Sequence, residues 1–365
     1  MRISSLIFAM LVVAFSAAAP ARPSEPLKRT IAAAMLGTDV PAMGVSVIRA
    51  GRIEASAVRG VRRRGYPPLV RPGDQWIIGS TAKVQTAAMI ARLVEERVLA
   101  WDTPLAKLLP ELASQMRPEY KPVTLRQLLS HHAGLPENIS DMAYFVTFFS
   151  DKRPLAQQRL AYIGRALGEA PAYPPGTDFG YSNTGFLIAA AAAEKATGRS
   201  YEQLMRREVF GPLGMTSAGF GATSKDQPSG HDKGKPVAPT NPAMFAPAGN
   251  IHMSLGDWTR FALDQLAGAK GRGKLLTTET YRLMQSAQPN GAVGLDWGIQ
   301  PAIMGRKGPV LVHGGSDGTW FAYVVLFPET GNGVLAIDNA SEAMGGDRAA
   351  RAALGAILPT IAEAK

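Results

Sequence analysis

A serine and a lysine three residues apart, Ser80 and Lys83, are the residues whose types and spacing most directly suggest chemistry in this chain. They fall where the short apolar run Gln75-Trp76-Ile77-Ile78-Gly79 meets a helical pattern. Residues i and i+3 share a helix face, so the Lys83 ammonium reaches the Ser80 hydroxyl, and the helix N-terminus adds partial positive charge. A serine hydroxyl becomes a useful nucleophile through an adjacent base or a cation that favours its alkoxide. Ala87, Ile90, Ala91 and Val94 follow the i, i+3, i+4, i+7 spacing, which predicts a helix buried along one face and held rigidly. No other serine in the chain begins a Ser-x-x-Lys. Taken alone, the pair also fits a helix cap followed by a solvated lysine.

Two further groups of residues bear on Ser80. Gly180-Tyr181-Ser182-Asn183 follows the loop Pro174-Pro175-Gly176-Thr177 and precedes a helical pattern, so Ser182 is placed to cap that helix while Tyr181 and Asn183 point elsewhere. A tyrosine serves as a general base only if nearby cations such as Lys83 pull its pKa down from about 10. The alternative is a core tyrosine with a satisfied hydroxyl. The second group is His313-Gly314-Gly315-Ser316 on a predicted strand, where missing side chains let a substrate lie against the strand edge and bond to its backbone.

The elements that must position these residues come from a chain of 365 residues, 46% of them hydrophobic, which suffices for two domains or one large one with an insertion. The absence of cysteine excludes thiol catalysis, disulfide scaffolds and cysteine-ligated metals. The five histidines show no metal-ligand spacing, so neither metal nor cofactor is expected. A net charge of +10 raises the question of nucleic acid, but the basic residues are scattered, and the one tight run, Arg62-Arg63-Arg64, reads as a solvated turn. No nucleic-acid partner is expected.

The first residues read as an export signal over 1–21. Arg2 is followed by the apolar run 6–15, and Ser16 to Ala21 offers small residues for cleavage after Ala18 or Ala21. Neither this run nor any other stretch has the length of a membrane span, so the protein is expected in the periplasm or outside the cell. Residues 27–35 predict a helix, and 42–48 with 52–58 predict a hairpin around Arg49-Ala50-Gly51. Polar turns through Pro67-Pro68 and Pro72-Gly73 lead to Ser80. Helical patterns cover 125–130, 155–167 and 184–197, and 219–247 reads as a long loop. Strands return over 298–303, 310–313, 319–327 and 333–339, closed by a helix over 347–357. The predicted class is α+β: one antiparallel sheet built from both chain ends and flanked by helices, with an inserted mainly helical region. Residues 22–85 with 291–365 form the sheet domain, 86–290 the insertion, and 25–362 one unit.

Ser80-x-x-Lys83, Tyr181-x-Asn183 and His313-x-Gly315, in this order and separation, resemble the three motifs of the serine beta-lactamase and penicillin-binding-protein superfamily, in its class C branch with related esterases and D-aminopeptidases. Leu128-Leu129-Ser130-His131-His132-Ala133-Gly134-Leu135-Pro136, Phe210-Gly211-Pro212-Leu213-Gly214-Met215 and Pro247-Ala248-Gly249-Asn250 also look like landmarks of that family. The resemblance covers nearly the whole mature chain and implies the beta-lactamase-like fold. It further implies that Ser80 forms an acyl-enzyme, that Lys83 and Tyr181 share the proton, and that Asn183 orients Lys83 and the substrate. The backbone N–H groups of Ser80 and Ser316 would form the oxyanion hole, and His313, Gly314 and Gly315 would bind substrate. Class A enzymes pair Ser-x-x-Lys with Ser-Asp-Asn and Lys-Thr-Gly. Here His313-Gly314-Gly315 stands where Lys-Thr-Gly would, and a histidine offers a substrate carboxylate a hydrogen bond without a permanent cation. The expected substrates are therefore small esters or amides, with beta-lactams turned over weakly.

Two rival readings stand beside this one. Gly314-Gly315-Ser316-Asp317-Gly318 matches the Gly-x-Ser-x-Gly nucleophile elbow, but a strand pattern follows Ser316 and no histidine does. A penicillin-binding receptor acylated once without turnover would keep the fold but need not keep Ser80, Lys83 and Tyr181 together. A true class C-type beta-lactamase is the remaining alternative.

Overall fold

The computed structural model describes residues 25–362, so the predicted export signal lies outside the described residues. Its centre is a seven-stranded sheet of β1 (Ala42–Arg49), β2 (Arg52–Arg63), β3 (Tyr66–Leu69), β4 (Gly298–Ile303), β5 (Arg306–Ser316), β6 (Phe321–Phe327) and β7 (Asn332–Asp338). The spatial order is β3-β2-β1-β7-β6-β5-β4, with every neighbour antiparallel. The two chain ends meet at β1 and β7, paired from Met43↔Asp338 to Ile48↔Gly333. All seven residues of β7 and seven of the eight in β1 are buried, as expected of strands covered on both faces.

One face carries α1 (Glu25–Met35) and the C-terminal helix Gly346–Ala362. Leu27, Ile31, Ala353 and Ile357 pack there against Val45, Val334 and Ala336. The other face meets the large helical region, whose core includes α2 (Ala82–Glu95) and α3 (Asn183–Thr197). A small sheet couples the two parts: Gln75–Ile77 pairs with Ile251–Ser254, which also pairs with Gly219–Phe220.

Local chemistry explains several details. Ala50 and Gly51 both have positive φ, giving the β1–β2 hairpin a two-residue turn whose twist matches its strands. Pro67 and Pro68, read as turn residues, instead lie in β3, an edge strand where proline's missing N–H is tolerated. The basic run is also corrected. Arg62 and Arg63 end β2, Arg62 grips Asp74 at 2.7 and 2.5 Å, and Arg63 donates to the Gln227 carbonyl, so these cations tie the sheet to neighbouring loops.

β4 and β5 pair only as far as Gly298↔Val312. Beyond that point β5 continues through His313, Gly314, Gly315 and Ser316 with β6 as its one partner among the described residues. The Gly315–Ser316 end of this segment meets the turn that carries Ser80.

Candidate active site

Ser80 sits in a 3-10 turn, Gly79–Thr81, immediately before α2. Gly79 has φ +53, and a Cβ there would stand 2.5 Å from the Ser316 nitrogen. A Cβ on Gly315 would stand 2.4 Å from the Ile78 carbonyl oxygen and 2.8 Å from the Ser80 nitrogen. These two glycines let the turn and the end of β5 meet backbone to backbone, which brings Ser80 and Ser316 together. Gly314 lies against the Tyr323 ring, 2.8 Å from where its Cβ would be. The missing side chains therefore also serve contacts within the protein.

Lys83 is fully buried on the first turn of α2. Its Nζ lies 3.0 Å from Ser80 Oγ and 2.5 Å from the Ala248 carbonyl oxygen. Burial lowers its pKa from 10.5 to about 7, while the negative charges of Asp296 and Glu137 resist the shift. The Tyr181 hydroxyl donates to Ser80 Oγ at 2.7 Å, and the Lys83 ammonium stands 4.8 Å from its ring centroid. Burial pushes the Tyr181 phenol well above its ordinary pKa; the Asp296 charge adds to this and the Ser80 contact opposes it. The condition for Tyr181 to act as a general base, a pKa pulled down by neighbouring cations, is therefore not met, because burial raises it instead. Near neutral pH Tyr181 is a proton donor, and Lys83 is the group able to change its charge.

Tyr181 is held from below. Ser182 caps α3 by accepting from Gly185 N at 3.3 Å. The His131 ring lies 4.6 Å from the Tyr181 ring, tilted by 33°, and its Nδ1 accepts the Ser182 N–H at 3.0 Å. The Gly180 N–H in turn donates to the His131 carbonyl at 2.9 Å. Asn183 departs from expectation: its Nδ2 donates to Asn138 Oδ1 at 3.1 Å, while Lys83 Nζ is bonded to Ser80 and Ala248.

Ser80, Tyr181, Asn183 and Ser316 line a cleft of about 330 Å³ together with Glu137 and Asp317. His313 and Gly314 line a neighbouring cavity of about 440 Å³, which Tyr181 also borders. The His313 side chain is only 7% exposed, its Nε2 2.8 Å from Asp296 Oδ2 and its Nδ1 2.8 Å from the Gly314 carbonyl oxygen. Ser316 Oγ accepts the Gly318 N–H at 2.8 Å and is followed by β6, so the nucleophile-elbow reading fails. Asp296 was not singled out from the sequence, since neither its spacing nor the run Gly294-Leu295-Asp296-Trp297-Gly298 carries a motif. Among the described residues, no group of three or more histidines and carboxylates is arranged to hold a metal ion.

The fold is that of penicillin-binding proteins and their relatives. It matches a solved octameric penicillin-binding protein homologue from Pyrococcus abyssi with TM-score 0.74 at 24% identity, over 92% of this chain and 77% of that one. It matches SurE with TM-score 0.77 at 23% identity, over 93% and 76%. The chain belongs to the beta-lactamase family, whose model matches residues 27–357. Among curated relatives, the D-alanyl-D-alanine-carboxypeptidase/endopeptidase AmpH of Escherichia coli (strain K12) is 26% identical over 277 residues, 71% of this chain and 69% of its own length. Penicillin-binding protein 4 of Amycolatopsis lactamdurans is 27% identical over 323 residues, covering 81% and 80%. At the level of the family, these relatives support a serine hydrolase acting on small molecules. Among the described residues, no helix is long and apolar enough to cross a membrane.

Proposed function

We propose that the protein is an exported serine hydrolase that cleaves small, uncharged esters or amides through an acyl-enzyme on Ser80. The observation that carries this reading is Ser80 Oγ held between the Tyr181 hydroxyl at 2.7 Å and Lys83 Nζ at 3.0 Å, with Lys83 lowered to about 7. With Lys83 neutral, the Ser80 O–H donates to the amine lone pair as Ser80 Oγ attacks the acyl carbon. The lysine then carries the proton, and Tyr181 relays one to the leaving alcohol or amine, both side chains standing within hydrogen-bond reach of Ser80 Oγ. The adjoining backbones of Ser80 and Ser316 are the source of the oxyanion donors, each contributing about 3 kcal/mol when preorganised. Water then reverses the sequence, and the acid product leaves.

The preference for uncharged substrates is supported by the groups facing the cleft. Glu137 and Asp317 line it, and His313 is turned toward Asp296 rather than presented as a free anchor. A second reading, hydrolysis of D-alanyl peptides, is favoured by the resemblance to AmpH. A hydrolysis panel on purified protein separates them: short-chain aryl esters should be turned over fastest, ahead of a cephalosporin and of peptides ending in a D-alanyl carboxylate. A preference for the carboxylate-bearing peptide or for the cephalosporin at neutral pH overturns the first reading.

A further inference from the structure

A buried carboxylate connects the two histidines beside the site. Asp296 is 3% exposed, between Leu295 and Trp297, which are fully buried or nearly so. Its φ is +71, a backbone conformation an L-residue other than glycine rarely adopts. Oδ1 is 2.9 Å from His131 Nε2 and Oδ2 is 2.8 Å from His313 Nε2. Because His131 Nδ1 accepts the Ser182 N–H, the proton of that imidazole resides on Nε2 and is donated to Asp296. The orientation of the ring beneath Tyr181 is thus fixed from both ends. Burial works against the ionised carboxylate, yet the contacts with His313 and His131 hold Asp296 below the ordinary carboxylate range. Its charge also reaches Lys83 and Tyr181, where it raises both pKa values.

A strained, buried anion is an expensive feature unless something uses it. The contacts indicate two uses. One is geometric: Asp296 holds His131 under Tyr181 by a hydrogen bond and stands at ion-pair distance from His313 on β5. The other is electrostatic: a fixed negative charge in the wall of the neighbouring cavity, which Tyr181 also borders, repels a substrate carboxylate, and the carboxylate of Glu137 at the cleft wall acts in the same sense. The cation bordering the neighbouring cavity, Arg351, is already paired with Asp347 at 2.9 Å.

We propose that Asp296 is a positioning and specificity-determining residue, which through His131 and His313 sets the placement of Tyr181 and biases Ser80 toward uncharged acyl donors. This rests on Ser80 being the acylated nucleophile. The test compares wild type, Asp296→Asn and Asp296→Gly. Asparagine keeps the shape, and glycine relieves the positive φ, so neither change imposes backbone strain. The second-order rate of Ser80 acylation is measured with p-nitrophenyl acetate, benzylpenicillin and benzylpenicillin methyl ester, with thermal unfolding as the check of folding. In Asp296→Gly, which removes the acceptor for His131, acylation by the acetate ester should fall by about 10²-fold as Tyr181 loses its placement, whereas Asp296→Asn, which keeps that acceptor, should lose less. The ratio of benzylpenicillin to acetate-ester acylation should rise by roughly tenfold as the repelling charge is removed. A purely structural role moves the first quantity but not this charge-dependent ratio.

Wild type should react faster with the methyl ester than with the free penicillin acid, a comparison that needs no variant to fold. An unchanged ratio in a folded variant, an acetate-ester rate in folded Asp296→Gly within about twofold of wild type, or faster reaction of wild type with the acid overturns the inference. Failure of every probe to label Ser80 in wild type instead overturns the assignment of the nucleophile, and both readings with it.

Discussion

If Lys83 accepts the Ser80 proton, acylation by an uncharged aryl ester must follow the ionisation of that one amine. Burial lowers Lys83 from 10.5 to about 7, so the rate should be flat above about pH 7 and fall about tenfold per pH unit below it. With the ordinary value, on the order of one molecule in 10³ would hold a neutral amine at neutral pH, so burial gains a rate factor of that size. The same shift sets a stability window. The unfolded lysine keeps its proton up to 10.5 and the folded one releases it at about 7, so the unfolded state binds more protons between these values. This group therefore makes the fold more stable as pH rises through that window. Below it both states are protonated, and the fold carries the full penalty of a buried ammonium, about 5 kcal/mol. Lys83→Met removes the penalty but leaves the Ala248 carbonyl without its donor, a loss of about 1–3 kcal/mol. At about pH 6 the inactive variant should resist urea better than wild type by roughly 2–4 kcal/mol. Stopped-flow acylation and urea unfolding across about pH 5 to about 9 check both halves. A rate limb near pH 10, or a Lys83→Met protein less stable than wild type at about pH 6, refutes the reasoning.

Ser80→Ala should abolish fluorophosphonate labelling in a folded protein, whereas Ser316→Ala should keep it, because the proposed role of Ser316 uses only its backbone; mass spectrometry of the labelled peptide decides. Tyr181→Phe should slow acylation by about 10²- to 10⁴-fold with the acid limb still near the Lys83 value, and an unchanged rate removes the phenol from the mechanism. Arg159 is fully buried, with Glu194 at 2.5 and 3.1 Å and Glu202 at 3.1 Å, so it is a structural centre of the helical region. Glu194→Ala leaves that guanidinium short of its main partner and should cost about 3–5 kcal/mol in urea unfolding, while a loss below about 1 kcal/mol counts against the buried pair.

What could be read from the residues was what a few neighbouring residues decide. The i, i+3 relation puts Lys83 on Ser80, Ala50-Gly51 makes the hairpin turn, and Ser182 caps α3 because its hydroxyl is in reach of Gly185 N. The sheet completed by both chain ends followed from strand patterns at each end, and β1 pairs with β7 accordingly. The readings that failed depend on segments distant in the chain. The pKa of Tyr181 rises because the phenol is buried, with the His131 ring against its own and the Asp296 charge adding to the effect, and no spacing announces how far that burial goes. The type and run of Arg62 suggest a solvated turn because its partner Asp74 lies beyond the β2–β3 turn rather than on a shared periodic face.

His313 shows most clearly how one unseen contact changes a chemical argument. From its type alone, a histidine in place of lysine means a weaker anchor for a substrate carboxylate. In the folded protein its Nε2 meets the buried carboxylate of Asp296, so the strand end carries its own anion. The shortage is then not only of a cation at position 313. A lysine there would find a counter-ion already in place, and the charge available to a substrate would remain small as long as Asp296 is ionised. On the reading proposed above, selection against anionic substrates rests on a residue 17 positions upstream with positive φ, where only the three-dimensional contact reveals it.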